Sequence, residues 1–441
     1  MVDQNLIIAV FLLFIVVGYF SKSGSVLSLE AYSMSRNKLN WFVISAGLSM
    51  SFAGGAALLN MASLGYSFGW QALVDPISFL FGTFIVFACL KFYRKDNGIT
   101  ISDLLSGTEP RLRYLIGAIS SLVFILVVAA QFVAISKLLH PYFTWIASEL
   151  FTLILAAITF GYVVIGGFKA VNKTDVIQLI VVFVFFITPF IFVSLKTESE
   201  YAGKLGFSAM PFDVIVLLGY TVIFIPFSQD INVRVKSGKS NKEARKGVFF
   251  GALFYCVIVV SAIYLGITLN SLGVTLSDPE TAYISFFQLL SPGIGILAVI
   301  AAMSIILSSL DSFSLNAITS VARDLLRRGD QDDERKLILV SSFIVFSIAI
   351  STALYFNEIL VIILSAILIY AAVLAPIALC RKFGLQDNMI FFGSVISIIL
   401  LISIEAINTI TIPYRSVSYP LINFIIILLI GAIMKMMRAH G

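Results

Sequence analysis

Apolar runs of about twenty residues recur from the first residues of this chain to the last, and a helix of that length spans the hydrocarbon layer of a bilayer. In lipid the backbone polar groups have no water to bond, so such runs fold as helices that satisfy themselves. With 59% hydrophobic and 12% charged residues over 441 positions and a mean hydropathy of +1.03, no soluble domain fits between the runs. The chain reads as an all-α integral membrane protein in contact with the lipid bilayer along its whole length. Thirteen spans are predicted, at roughly 5–21, 40–65, 68–92, 114–137, 142–165, 173–195, 211–233, 246–270, 290–322, 336–356, 358–380, 388–408 and 418–436. The stretch Ser271 to Ser291 reads as an external segment with a short helix between Pro279 and Pro292.

Charge tests this count independently, because cytoplasmic loops hold most Lys and Arg. With the N-terminus outside, only Lys137, Lys196, Lys204 and Arg415 fall on the external side, and the other 25 of 29 basic residues fall inside. An odd number of spans and a cytoplasmic C-terminus follow. The net charge of +5 is thus a product of topology, with no indication of nucleic acid as a partner. The first run has Asp3 rather than a basic cluster before it, so it reads as a span and not as a cleaved signal. Cys89, Cys256 and Cys380 are scattered, and His140 and His440 lie far apart, which leaves no disulfide framework, zinc site or organic cofactor in view. No nucleophile, base and orienting group stand together, so an enzyme has little support.

Two predicted spans are interrupted. Gly54 and Gly55 sit in the middle of the second, in Ser51-Phe-Ala-Gly-Gly-Ala-Ala57, and Pro226 stands near the middle of the seventh. Irregular backbone at membrane depth is tolerated beside protein or a water-filled cavity. Paired broken helices are the usual pointer to a midplane binding site, although a packing kink gives the same sequence.

Four motifs resemble the sodium:solute symporter family, in order and in the expected spans. They are Gly65-Tyr-Ser-Phe-Gly69; Gly166-Gly-Phe-Lys-Ala-Val-Asn-Lys-Thr-Asp-Val-Ile-Gln178; Phe227-Ser-Gln-Asp-Ile-Asn-Val-Arg234 followed by Ser240 and Ala244 to Gly247; and Ala301-Ala-Met-Ser-Ile-Ile-Leu-Ser-Ser-Leu-Asp-Ser312 continuing to Arg323-Asp324. The resemblance covers about residues 40–325. It implies a leucine-transporter-like core, a 5+5 inverted repeat over 38–381 with spans two to six and seven to eleven as its halves. One extra helix and loop, 1–37, precede it and two helices, 382–441, follow, all within a single membrane transport domain. The activity implied is sodium-coupled import of a small organic solute by alternating access.

Sodium is a hard cation that takes about five oxygen ligands, and a broken helix facing two hydroxyls can supply them. Ser308 and Ser309 offer hydroxyls, and the family pattern pairs them with the main-chain carbonyls of Met50, Ala53 and Ile305. Without the resemblance, serines in a membrane helix would read as bonded to their own backbone. Some relatives hold a second cation between the equivalents of Asp175, Ser308 and Ser312, with a serine at the position of Asp311. Asp311 here departs from that pattern. It strengthens a second cation site, carries a proton, or pairs with a lysine; Asp175 itself has a solvated or capping role as its alternative. Asp230 and Arg234 read as part of an inner gate or its supporting network.

For the solute, Phe52, Gly54, Ala57 and Pro76 stand where sugar-transporting relatives present polar groups, which argues against a sugar. N–H groups at Gly54 and Gly55 would suit a carboxylate, and Phe52, Thr221 and Phe224 could enclose a modest apolar body. The expected class is an organic acid or amino acid. Asp75 either lines the solute pathway or sits at a helix break near the outer face. Two other functions stay open, a transporter-fold solute sensor without an appended signalling domain and a proton-coupled symporter using Asp311; a channel suits two discontinuous helices less well. The expected location is the cell membrane, with compact length and short tails favouring a prokaryotic inner membrane.

Overall fold

A computed structural model describes residues 28–95, 97–107, 109–187, 207–290, 292–327, 333–407 and 415–440, with Gly329 and scattered positions between 4 and 16. Among them only helices and one isolated bridge, Leu39 with Gly238, are present. Nine helical stretches are long and apolar enough to cross a membrane, and Trp41–Ala53, Ser148–Gly161 and Asp387–Ser403 are shorter apolar helices. Each predicted span from the second to the thirteenth has a helical counterpart among these. The first, at 5–21, lies largely outside the described residues, as do Lys196 and Lys204.

The first broken helix starts where Asn40 caps it, accepting the Val43 N–H through its side chain at 3.0 Å. α1 runs Trp41–Ala53, Gly54 turns out of helical geometry at φ 5°, ψ 152°, and α2 resumes over Gly55–Phe68. The interruption expected at the glycine pair is therefore present, and it falls on Gly54. A short 3-10 turn leads into α3, Val74–Ala88. Two long helices follow, α4 over Pro110–Leu139 and α5 over Ser148–Val182. Gly167, at φ 61°, ψ −177°, bends α5 between the fifth and sixth predicted spans, a conformation that favours glycine.

The seventh span is a chain of short pieces: α6 over Phe212–Gly219, α7 over Thr221–Phe227 and α8 over Gln229–Ser237. The break differs from the expected one. Pro226 lies inside α7, and the extended residue is Ser228, at ψ 130°, two positions later. A proline lacks the N–H that would bond the carbonyl four residues before it and crowds that carbonyl, so it disturbs the turn before it. α9, Asn241–Ser271, then packs along both halves of the first broken helix. Its Gly266 and the facing Gly65 let two backbones touch, since a Cβ at either would lie 2.0–2.2 Å from a carbonyl oxygen of the other helix.

Beyond α9 the expected external segment is a 3-10 turn at Pro279–Thr281 followed by α10, Ala282–Leu290. α11, Pro292–Ser320, runs through the middle of the bundle against α4, α5 and α1. α12 covers Glu334–Tyr355, α13 Ile359–Ile369, α14 Asp387–Ile407 and α15 Arg415–His440. The outward faces keep large apolar side chains exposed, Phe81, Phe84, Phe343, Ile399 and Leu429 among them, as a lipid-facing surface requires.

Charged clusters sit at opposite ends of α4, whose length puts Arg113 and Lys137 roughly 36 Å apart. Arg113 bridges Asp103 at 2.8 Å and Asp324 at 3.2 Å. Lys137 holds Asp278 at 2.9 Å and Glu280 at 2.5 Å, from the segment expected outside. Asp103 also accepts the backbone N–H groups of Ile99 and Thr100. Burial works against its charge, but the Thr100 N–H, Arg113 and Arg323 outweigh it and hold the carboxyl below its ordinary range.

Candidate functional site

The last four carbonyls of a helix have no partner within it, and in α1 these belong to Met50, Ser51, Phe52 and Ala53. Ser309, buried on α11, turns its hydroxyl onto two of them, donating to the Ser51 carbonyl at 2.6 Å and the Met50 carbonyl at 3.0 Å. Gly54 is small because this serine is close: a Cβ there would lie 2.7 Å from Ser309 Oγ. Ile305 stands one turn before Ser309 on the same helix, and both it and Ala53 are fully buried. Ser308 points elsewhere and donates to Asp175 Oδ1 at 2.5 Å.

Asp175 leads to a second cluster, organised around the guanidinium of Arg234. This arginine is fully buried. Its Nη2 donates to Ser51 Oγ at 2.8 Å, Ser312 Oγ at 2.9 Å and Asp175 Oδ2 at 3.2 Å; Nε donates to Asp230 Oδ2 at 2.7 Å and Nη1 to Asn172 Oδ1 at 3.1 Å. Gly47 makes the space, since a Cβ there would sit 1.6 Å from Arg234 Nη1. The residues expected around a second cation thus surround a cation of the protein's own. Asp311 does not join Asp175 here; it lines a small cavity with Gly166, Gly167 and Thr174 beside the bend of α5.

A cavity of about 80 Å³ lies across the break. Phe52, Gly54, Ala57, Asp75, Thr221 and Phe224, all expected to face the solute, line it. Gly55 does not. A Cβ on it would meet Ile306 Cγ1 at 1.8 Å, so this glycine serves the crossing of α2 and α11. Asp75, in the first turn of α3, receives the Thr221 hydroxyl on Oδ1 at 3.0 Å and the Tyr255 hydroxyl on Oδ2 at 2.6 Å. The cavity wall also holds Asn60, Phe79, Gln131 and Phe313. Gln131 accepts the Ala56 N–H at 3.1 Å and so caps the second half-helix, where a solute carboxylate was expected to bind. Sequence gave no sign of Gln131 or Asn60, because a single amide in a long apolar helix does not disclose which way it faces.

A helical membrane protein with a small cavity, an apposed serine and a buried carboxylate at one broken helix has the construction of a secondary transporter. The chain belongs to the sodium:solute symporter family, whose model matches residues 32–203 and 195–383. It is a sodium-coupled symporter of a small organic solute. The sodium/proline symporter of Staphylococcus aureus, in strains JH9 and Newman among others, is 25% identical over 385 residues, covering 79% of this chain and 75% of that protein. Among solved structures, a Na+-coupled sialic acid symporter in a substrate-bound outward-open state shares the fold at a TM-score of 0.76, with 15% identity over 98% of this chain and 97% of that one. MhsT in complex with L-phenylalanine matches at 0.57, with 15% identity over 88% and 97% of the respective chains.

Proposed function

We propose that one sodium ion enters with each solute molecule, held where Ser309 faces the end of α1, and that Arg234 fills the second cation position permanently. The observation that carries this is the convergence of Ser309 Oγ with the Met50 and Ser51 carbonyl oxygens at 3.0 and 2.6 Å. Three oxygens so close share a small cation once the hydroxyl proton rotates away, and the carbonyls of Ala53 and Ile305 would complete the set. Asp175 gives one oxygen to Arg234 and the other to Ser308, and the guanidinium occupies the space between Asp175, Ser51 and Ser312 that a second sodium would need. A guanidinium that is always charged does there what a bound ion would do.

Sodium at this position ties α1 to α11 and holds the break in one geometry, so that solute and ion bind cooperatively and the loaded carrier alternates between the two faces. The transport core comprises residues 38–381, with 1–37 before it and 382–441 after it. The N-terminus faces outward and the C-terminus the cytoplasm of a prokaryotic cell, with the Arg113 cluster inside and the Lys137 cluster outside. The relatives are named for proline and sialic acid, which supports a small organic acid or amino acid as cargo.

The test is thermal stability of the purified protein titrated with sodium against potassium. A sodium-specific rise that Ser309→Ala abolishes is expected. A rise that survives Ser309→Ala removes the ion from this position, and a response to protons alone that requires Asp311 replaces sodium coupling by proton coupling.

A further inference from the structure

The cavity is lopsided in its chemistry. Its one carboxyl side chain is that of Asp75, only 6% exposed, and no Lys or Arg among the described residues lies within ion-pairing distance of it. Its oxygens are steadied by Thr221 and Tyr255 and by the start of α3, where a helix favours negative charge. Asn60 adds a second acceptor: its side-chain Oδ1 is buried in the cavity wall without a hydrogen-bond partner among the described residues. A buried acceptor left unpaired is costly, and a buried carboxylate without a cation costs more. At the helix end that would welcome an anion, the Ala56 N–H is already taken by Gln131. Aromatic faces line the remainder, with Phe79 stacked on Tyr255 at 3.7 Å and Phe52 5.4 Å from Phe79.

We infer that the solute carries a protonated amino group, which docks on Asp75 with Asn60 Oδ1 as a further acceptor and the aromatic rings around it. This rests on the symport proposed above and names the class of its cargo. An ammonium supplies the missing donors, neutralises Asp75 and is attracted by the ring faces. A solute whose only charge is a carboxylate meets another carboxyl group and no cation in a poorly screened space. A zwitterion fits if its amine takes Asp75 and its carboxylate points along the cavity.

The experiment is the melting temperature of the full-length purified protein at equal ionic strength, in sodium and in potassium, with n-propylammonium, L-alanine and propionate as probes. Wild type is expected to respond to sodium alone, and further to at least one amino-bearing probe in sodium but not to propionate. Asp75→Asn should keep the sodium response and lose about tenfold or more in affinity for the amine, as a charge-assisted hydrogen bond requires. Asn60→Leu, the milder variant should Asp75→Asn fail to fold, should weaken the amine severalfold. Stabilisation by propionate as large as by the amines, no stabilisation by either amine, or amine affinity unchanged in whichever variant folds overturns the inference. Loss of the sodium response in wild type would instead overturn the symport proposal.

Discussion

Replacing Arg234 by Met should turn a one-sodium protein into a two-sodium one. The guanidinium is fully buried and makes five side-chain hydrogen bonds between 2.7 and 3.2 Å. Methionine fills much of the volume but leaves Asp175 and Asp230 uncompensated, with Ser308 and Asn316 as their remaining neutral donors. Removing one partner of a buried ionic network costs about 3–5 kcal/mol, so the variant should be destabilised by that amount in potassium. In sodium much of the loss should return. The vacated space is bounded by oxygens of Asp175, Ser51 and Ser312, and an ion held there at a hundred times its dissociation constant restores about 2.7 kcal/mol. The assay is intrinsic fluorescence during a thermal ramp, with Trp41, Trp70 and Trp145 as reporters, over a sodium series at constant ionic strength. Wild type should titrate with a Hill coefficient near one and Arg234→Met with a coefficient above one. An Arg234→Met protein that is destabilised equally in sodium and potassium, with an unchanged Hill coefficient, would refute the idea that the arginine stands in for an ion.

Gly47→Ala should reproduce part of that phenotype, because its Cβ would lie 1.6 Å from Arg234 Nη1; a loss of about 1–3 kcal/mol in a denaturation midpoint checks it, and full stability would count against the packing described. Asp103→Asn should destabilise the protein by about 1–2 kcal/mol at neutral pH. Asp103 is held below its ordinary range in the folded chain, so its contribution is present above the unfolded value near 3.9 and fades as pH falls through the lower folded value. A melting series from pH 7 downward should accordingly see the two proteins converge in acid, whereas a constant gap would mean that Asp103 acts through packing.

Much of the architecture was legible in the sequence because lipid leaves few choices. Apolar length specified the helices, and Gly54 announced the first break. Pro226 was less informative: proline tells which hydrogen bond is missing, and neighbouring packing decides that Ser228 carries the extended geometry. At the site, the family pattern singled out Ser309, and Asp75 stood out as a carboxylate in an apolar run with its role left open. The chemistry was obscured where helix rotation decides. Gly54 and Gly55 look alike in sequence, yet one faces Ser309 and the cavity and the other Ile306. Arg234 stands in a polar segment that resembles a gate, and only the glycine at position 47, far away in the chain, opens the space that draws it between Asp175 and Ser312. Gln131 and Asn60 depended in the same way on the rotation of α4 and α2.

Equilibrium binding of radioactive sodium to the purified protein, in wild type and in Ser309→Ala, addresses the central proposal most directly. One ion bound per chain in wild type, and none above background in Ser309→Ala, is the expected result. Two ions per wild-type chain, or undiminished binding in Ser309→Ala, would contradict it.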